Sequence, residues 1–221
     1  MKLTVFNGSP RGKNSNSAII AKWLLENSCD FPDVTTEVVY LNKPENHENQ
    51  AKIAQDSDII LFVFPLYFDC MPGIVKAFIE KLQPFSGALK EKKLGFIVHS
   101  GFPEAIHSRC LEKYLVWLAG ELGTGYIGTV IMGGSEGIRI MPESMTKKKR
   151  KLFSGLGDKL LRESVFDTQI VSELAKPERL SKTSILIYKI LAKIGISNFY
   201  WNGMLKKNGA YKARFAKPYI N

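Results

Sequence analysis

Six consecutive apolar residues, Ile59-Ile60-Leu61-Phe62-Val63-Phe64, constrain the fold more than any other stretch of the chain. A helix with one wet face would interrupt the run every three or four positions, and a half-buried strand would alternate. An unbroken run of this length suits a central strand of a parallel sheet, covered on both faces. Four further apolar runs bounded by turn residues, Leu3 to Phe6, Val34 to Leu41, Leu94 to Val98 and Tyr126 to Met132, read as its companions. Between them lie segments with helical spacing. Ile19, Ile20, Trp23 and Leu24 form one stripe; Ile74, Val75, Phe78, Ile79 and Leu82, opened by Pro72-Gly73, form a second. Ile106, Cys110, Leu111, Tyr114, Leu115 and Leu118 form a third, ended at Gly123, and Glu143 to Arg162 reads as another helix. Strands alternating with helices predict an α/β fold, a doubly wound five-stranded parallel sheet with helices on both faces.

The alternation stops near Val165, so the chain is expected to divide into a domain at 1–165 and a helical, basic, aromatic-rich C-terminal extension at 166–221. Charge follows the same division. The net charge is +10, and from Lys176 onward ten Lys or Arg stand against Glu178 alone, which leaves the preceding residues nearly neutral. A basic tail makes anionic partners worth weighing: nucleotides, nucleic acid or a membrane surface. A short helix near Ile170 to Ala175 precedes an amphipathic one near Lys182 to Ile194 and the aromatic cluster Phe199-Tyr200-Trp201. The apolar N-terminal stretch is too short for a signal peptide or a spanning helix, which predicts a cytoplasmic protein. Cys29, Cys70 and Cys110 are too far apart for a CxxC pair or a metal-ligand spacing, so reduced, mostly buried thiols and no metal site are expected.

The first strand runs straight into Asn7-Gly8-Ser9-Pro10-Arg11-Gly12-Lys13-Asn14-Ser15-Asn16-Ser17, and the helical pattern begins at Ala18. A phosphate monoester needs several donors aimed inward, and a helix start supplies free N–H groups and a partial positive charge. Ser9, Ser15, Asn16 and Ser17 add side-chain donors, and Arg11 adds a charge-assisted partner. The plainer alternative is an ordinary turn with Ser17 or Asn16 as the helix N-cap. Two other nucleotide loops fail here. A P-loop needs four residues between its glycines and Ser or Thr after the lysine, whereas Gly8 and Gly12 enclose three and Asn14 follows Lys13. The dinucleotide fingerprint G-x-G-x-x-G is absent, and the second strand ends at Leu41-Asn42 without an acid for a ribose.

The third strand leads into Pro65-Leu66-Tyr67-Phe68-Asp69-Cys70-Met71-Pro72-Gly73, and the fourth into His99-Ser100-Gly101-Phe102-Pro103-Glu104. In a doubly wound sheet these loops share the carboxyl edge with the first, where the strand order reverses and ligands bind. His99, His107 and Cys70 lie near that edge. Structural histidines and an inert thiol are the plainer readings, against a proton donor or a redox thiol. The run Lys147 to Lys151 reads as one solvated helix face, with the 2′-phosphate of NADPH as the alternative.

Two motifs resemble the NADPH-dependent FMN reductase family of the flavodoxin-like superfamily. Gly8-Ser9-Pro10-Arg11 with Ser15-Asn16-Ser17 looks like its FMN-phosphate loop, and Pro65-Leu66-Tyr67 with Met71-Pro72-Gly73 and Lys76-Ala77-Phe78-Ile79-Glu80 looks like its second flavin motif. The resemblance implies a flavodoxin-like FMN-binding domain and an oxidoreductase that passes electrons from NAD(P)H, as co-substrate, through FMN to a small acceptor such as a flavin or a quinone. In such enzymes the cofactor supplies the difficult chemistry and no catalytic base is required. It further implies that Pro65, Leu66 and Tyr67 flank the isoalloxazine, with backbone N–H groups near N5, and that Ser100, Gly101 and Phe102 face N1 and the C2 carbonyl; Tyr67 and Phe68 are stacking candidates, with core packing beneath the loop as the alternative. A flavodoxin-type electron carrier is the competing reading, as is an FMN module whose basic tail binds a membrane or nucleic acid. Relatives are commonly dimeric, so a homodimer is expected, with Lys182 to Tyr219 packed on the second subunit and helping to wall the flavin site. Ile185, Leu186, Ile190, Leu191 and Ile194 form the stripe that needs covering. The protein's own core and a membrane surface are the other possible covers, the latter because Lys182, Lys189 and Lys193 flank the stripe.

Overall fold

A computed structural model describes residues 1–195 and 198–217, and these fall into two compact units, Met1–Arg179 and Leu180–Asn221. In the first, strands β1 (Lys2–Asn7), β2 (Thr35–Tyr40), β3 (Ile59–Pro65), β4 (Lys93–His99) and β5 (Gly125–Met132) form one sheet in the order β2-β1-β3-β4-β5. Every pairing is parallel. This is the flavodoxin-like doubly wound order, whose switch point lies between β1 and β3.

The apolar run of β3 explains itself in the packing. Ile60, Phe62 and Phe64 point into a cluster with Phe6, Phe78, Phe96 and Leu115, while Ile59, Leu61 and Val63 point into another with Leu3, Ile20, Phe153 and Leu160. Successive strand residues face opposite sides, so a strand buried on both faces has no polar position to alternate with. Helices α2 (His47–Gln55), α3 (Gly73–Leu82) and α4 (Arg109–Glu121) cover the first face. Helices α1 (Asn16–Leu24), α5 (Glu143–Glu163) and α6 (Thr168–Leu174) cover the second. Gly157 allows α5 to approach α1, since a Cβ there would lie 1.8 Å from the Leu24 carbonyl oxygen.

The first unit continues past the end of α5 because Phe166 and Leu174 are buried in the second cluster, and because the N–H groups of Ala105 and Ile106 donate to the Pro177 and Glu178 carbonyls. The second unit holds α7 (Lys182–Lys193), capped by the Ser181 hydroxyl, and α8 (Phe199–Lys207). Tyr219 and the side chains of Phe199 and Tyr200 lie outside the described residues. Among the described residues, no helix is long and apolar enough to cross a membrane.

Two expectations are corrected. All three cysteines are exposed free thiols, not buried ones: Cys29 lies in a surface turn, Cys70 in the loop after β3 and Cys110 on the outer side of α4. Lys147 to Lys151 is not a uniform solvated face either. Lys149 is half-buried and donates to the carbonyls of Gly133 and Gly134, at 3.2 and 3.0 Å, and burial lowers its pKa. Its neighbours are paired, Lys148 with Glu173 and Arg150 with Glu26.

Candidate functional site

Hydrogen bonds continue the sheet beyond the strand ends and bind the loops into one edge. Gly8 donates to the Val63 carbonyl, Leu66 to that of His99 and Ser100 to that of Met132. Gly8 admits this closeness, because a Cβ would lie 2.2 Å from Val75 Cγ2. Between the loops opens a cleft of about 110 Å3 lined by Ser9, Arg11 and Asn16 from the first, Pro65, Leu66 and Tyr67 from the second, and His99, Ser100 and Gly101 from the third. A fourth loop, after β5, adds Ser135 and Glu136. Sequence reasoning missed those two, although Gly133-Gly134-Ser135-Glu136-Gly137 stands at the carboxyl end of a strand as the other loops do.

The first loop is preorganised by its own polar side chains. The buried Asn7 amide accepts from the Ser9 N–H at 2.9 Å and donates to Ser15 Oγ at 3.3 Å. Ser15, not Asn16 or Ser17, caps α1: its backbone is extended, its hydroxyl accepts from the Ala18 N–H and it donates to the Gly12 carbonyl. That hydroxyl is buried within the loop. The N–H groups of Asn16 and Ser17 precede any intrahelical carbonyl and face the helix start. Arg11 is exposed, with no ion pair among the described residues. These donors suit a dianionic phosphate.

A buried polar chain ties the edge together. Ser135 Oγ donates to the Ser100 carbonyl at 2.9 Å, so toward His99 Nδ1, also 2.9 Å away, it acts as acceptor. His99 therefore carries its proton on Nδ1, and Nε2 accepts from the Ser17 hydroxyl at 2.8 Å. Desolvation in the core, reinforced by the Lys149 charge, holds His99 neutral, with its pKa pushed down to about 3. The Ser17 hydroxyl is consequently committed to His99 and offers a ligand only its backbone N–H. Asn16 is committed similarly, its side chain donating to the Ser135 carbonyl at 2.7 Å.

In the second loop, Tyr67 and Cys70 exchange backbone hydrogen bonds of 2.8 and 3.0 Å around Phe68 and Asp69, which have φ of 48° and 58°. Two adjacent left-handed residues without glycine make a strained hairpin turn, and such strain collects at functional sites. The turn holds Phe68 at 105% exposure, outside the core and beyond the cleft lining. Tyr67 borders the cleft and is partly exposed. The Leu66 and Tyr67 N–H groups donate to the His99 and Cys70 carbonyls, so neither is free for a flavin N5. Phe102 stands outside the lining, half-exposed, stacked on His107 at 4.4 Å.

A larger cavity of about 590 Å3 runs beside β5 between α4 and α6. It is the weaker candidate despite its size. Its cations are already engaged, Arg109 by Glu178 and Glu112 and Lys176 by Glu173, leaving no free charge for a phosphate.

The chemistry of the donor set fits FMN. The phosphate matches the α1 terminus with Ser9 and Arg11, and Pro65, Leu66 and Tyr67 share the cleft lining with Ser100 and Gly101, where a ring could lie. Enclosed small-molecule sites hold ~300–1,000 Å3, so a cleft of about 110 Å3 would take only part of FMN and leave the rest outside it.

The family described as NADPH-dependent FMN reductase matches residues 1–136. No curated protein matches in sequence. Among solved structures, the chain resembles an NADPH-quinone reductase from P. pentosaceus at a TM-score of 0.56 and 18% identity, covering 74% of this chain and 99% of that one. An NAD(P)H:quinone oxidoreductase from Methanothermobacter marburgensis follows at 0.58 and 13%, covering 72% and 96%. An FMN-dependent NADH-azoreductase from Bacillus anthracis, solved with FMN, gives 0.54 and 15%, covering 73% and 100%. These likenesses establish the shared fold.

Proposed function

The chain belongs to the NADPH-dependent FMN reductase family, flavoproteins that take electrons from a nicotinamide nucleotide with FMN as cofactor, and on that premise we propose that it delivers those electrons to a small acceptor, a flavin, a quinone or a similar molecule. One observation carries the reading: a single cleft is lined by an arginine without an ion pair among the described residues, by the start of α1 and by Tyr67. Bound in the cleft, FMN would supply the hydride and electron-transfer chemistry that links NAD(P)H to an acceptor. This chain's residues bind and orient. Arg11, Ser9 and the N–H groups of Asn16 and Ser17 would hold the phosphate, Pro65, Leu66 and Tyr67 would bound the ring with Ser100 and Gly101, and Glu136 would accept from ribityl hydroxyls.

The same reading assigns flavin binding to the domain drawn at 1–165, a homodimer as the assembly, and the cytoplasm as the compartment, in keeping with three exposed, unpaired thiols. Absorbance of the purified protein, followed by anaerobic titration with NADH and with NADPH, tests the core of it. Flavin bands that bleach with a nucleotide, and recover when a quinone or free flavin is added, are expected. Absence of flavin bands after FMN addition would refute the proposal, and bleaching without recovery by any such acceptor would refute the acceptor class. Sedimentation equilibrium reads the dimer.

A further inference from the structure

The unit Leu180–Asn221 carries eight Lys or Arg and no Asp or Glu, an excess none of the proposed flavin chemistry uses. Lys182, Lys189 and Lys193 recur at spacings of seven and four, so they form one narrow stripe along α7. Around the rest of that helix Ile185, Leu186, Ile187, Tyr188, Ile190 and Ile194 are all exposed. Trp201 in α8 and Phe215 beyond it are 65% and 80% exposed, among Lys206, Lys207, Lys212 and Arg214. Apolar side chains so concentrated on one short helix mark a contact surface.

The pattern discriminates between occupants. Protein interfaces deplete charge, lysine included, from their apolar centres. Nucleic acid engages cations through its phosphates but gives six aliphatic and aromatic side chains of one helix nothing apolar to bury in. A bilayer surface offers both at once, acyl chains to the isoleucines and leucines and anionic headgroups to lysines whose stems reach outward. With 12 residues, α7 is about 18 Å long, short of the ~30 Å hydrocarbon core, so it is built to lie along a membrane and not to cross it. We propose that Leu180–Asn221 docks the protein on an anionic lipid bilayer, with α7 in the headgroup plane, its apolar side chains in the acyl region and its lysines on the lipid phosphates.

Flotation of the full chain with phosphatidylcholine vesicles, with and without about one-third phosphatidylglycerol, tests this. Binding to the anionic vesicles is expected, at least tenfold weaker binding to neutral ones, and loss of binding at high salt. Lys189→Glu with Lys193→Glu should lower partitioning at least tenfold, and Leu186→Ser with Ile190→Ser should abolish it with every cation in place. Both variants should keep the flavin spectrum and NAD(P)H turnover of the parent. The lysine pair changes only exposed positions, so it remains decisive if the apolar pair folds poorly. Equal binding to neutral and anionic vesicles, or none to either, overturns the proposal. A dimer that dissociates in the Leu186/Ile190 variant without any vesicle binding assigns the face to a second copy; capture of duplex DNA without vesicle binding assigns it to nucleic acid. Vesicle binding is read independently of flavin, so it fails or succeeds separately from the proposed reductase activity.

Discussion

Neutral His99 sits at the junction of three loops, and its burial has a measurable cost in acid. Its pKa falls from 6.5 to about 3 in the folded protein, so the unfolded chain takes up a proton that the folded one refuses. Stability is therefore unaffected where both states are neutral and is lost as the pH falls through 6.5 toward 3. The slope approaches ~1.4 kcal/mol per pH unit, and between pH 8 and pH 5 the loss amounts to about 2 kcal/mol. Carboxylates contribute little in that interval. Glu173, Glu26 and Glu178 are held below the usual carboxylate range by hydrogen bonds from Lys148, Arg150 and Arg109, so their stabilising effect is present above their unfolded pKa and fades at lower pH. Urea unfolding of the flavin-free protein at both pH values, beside His99→Gln, isolates the effect. Glutamine can accept from Ser17 and donate to Ser135 without titrating, so the variant should lose about 2 kcal/mol less than the parent between pH 8 and pH 5. Equal losses in the two proteins would refute the assignment of a buried neutral imidazole.

Three further outcomes are expected. Arg11→Ala should weaken FMN binding by about 1.5–3 kcal/mol in a flavin fluorescence titration, whereas Ser17→Ala, whose hydroxyl serves His99, should cost about 1–3 kcal/mol of stability and little affinity; the reverse pattern would show that the phosphate donors are misassigned. Replacing Phe68→Asn and Asp69→Gly together should relieve two left-handed residues and stabilise by about 1–2 kcal/mol in urea unfolding, and no gain would remove the argument from strain. Gly157→Ala should destabilise by about 3 kcal/mol, because its Cβ meets backbone that cannot move aside, and wild-type stability would refute the α1–α5 contact.

Local chemistry made much of this protein legible in its sequence. The unbroken β3 run demanded cover on both faces, helical stripes supplied that cover, and an alternating order of the two leaves few topologies. The phosphate loop was readable for the same reason: Asn7 to Ser17 are contiguous, and a strand end followed by a helix start already defines where N–H groups point. Other features depended on residues that meet only in the folded chain. Ser17, His99 and Ser135 lie on three elements, and only their convergence shows that the Ser17 proton is spoken for and that His99 is neutral. Ser15 became the cap because its backbone turned extended, a choice open to three neighbours of similar chemistry. Phe68 reads as core by hydrophobicity, yet a left-handed turn carries it into solvent, and Lys149 reads as surface by charge, yet β5 ends beneath it with two carbonyls. A side chain's type sets what it can bond, but burial and partner are properties of the place to which distant chain brings it.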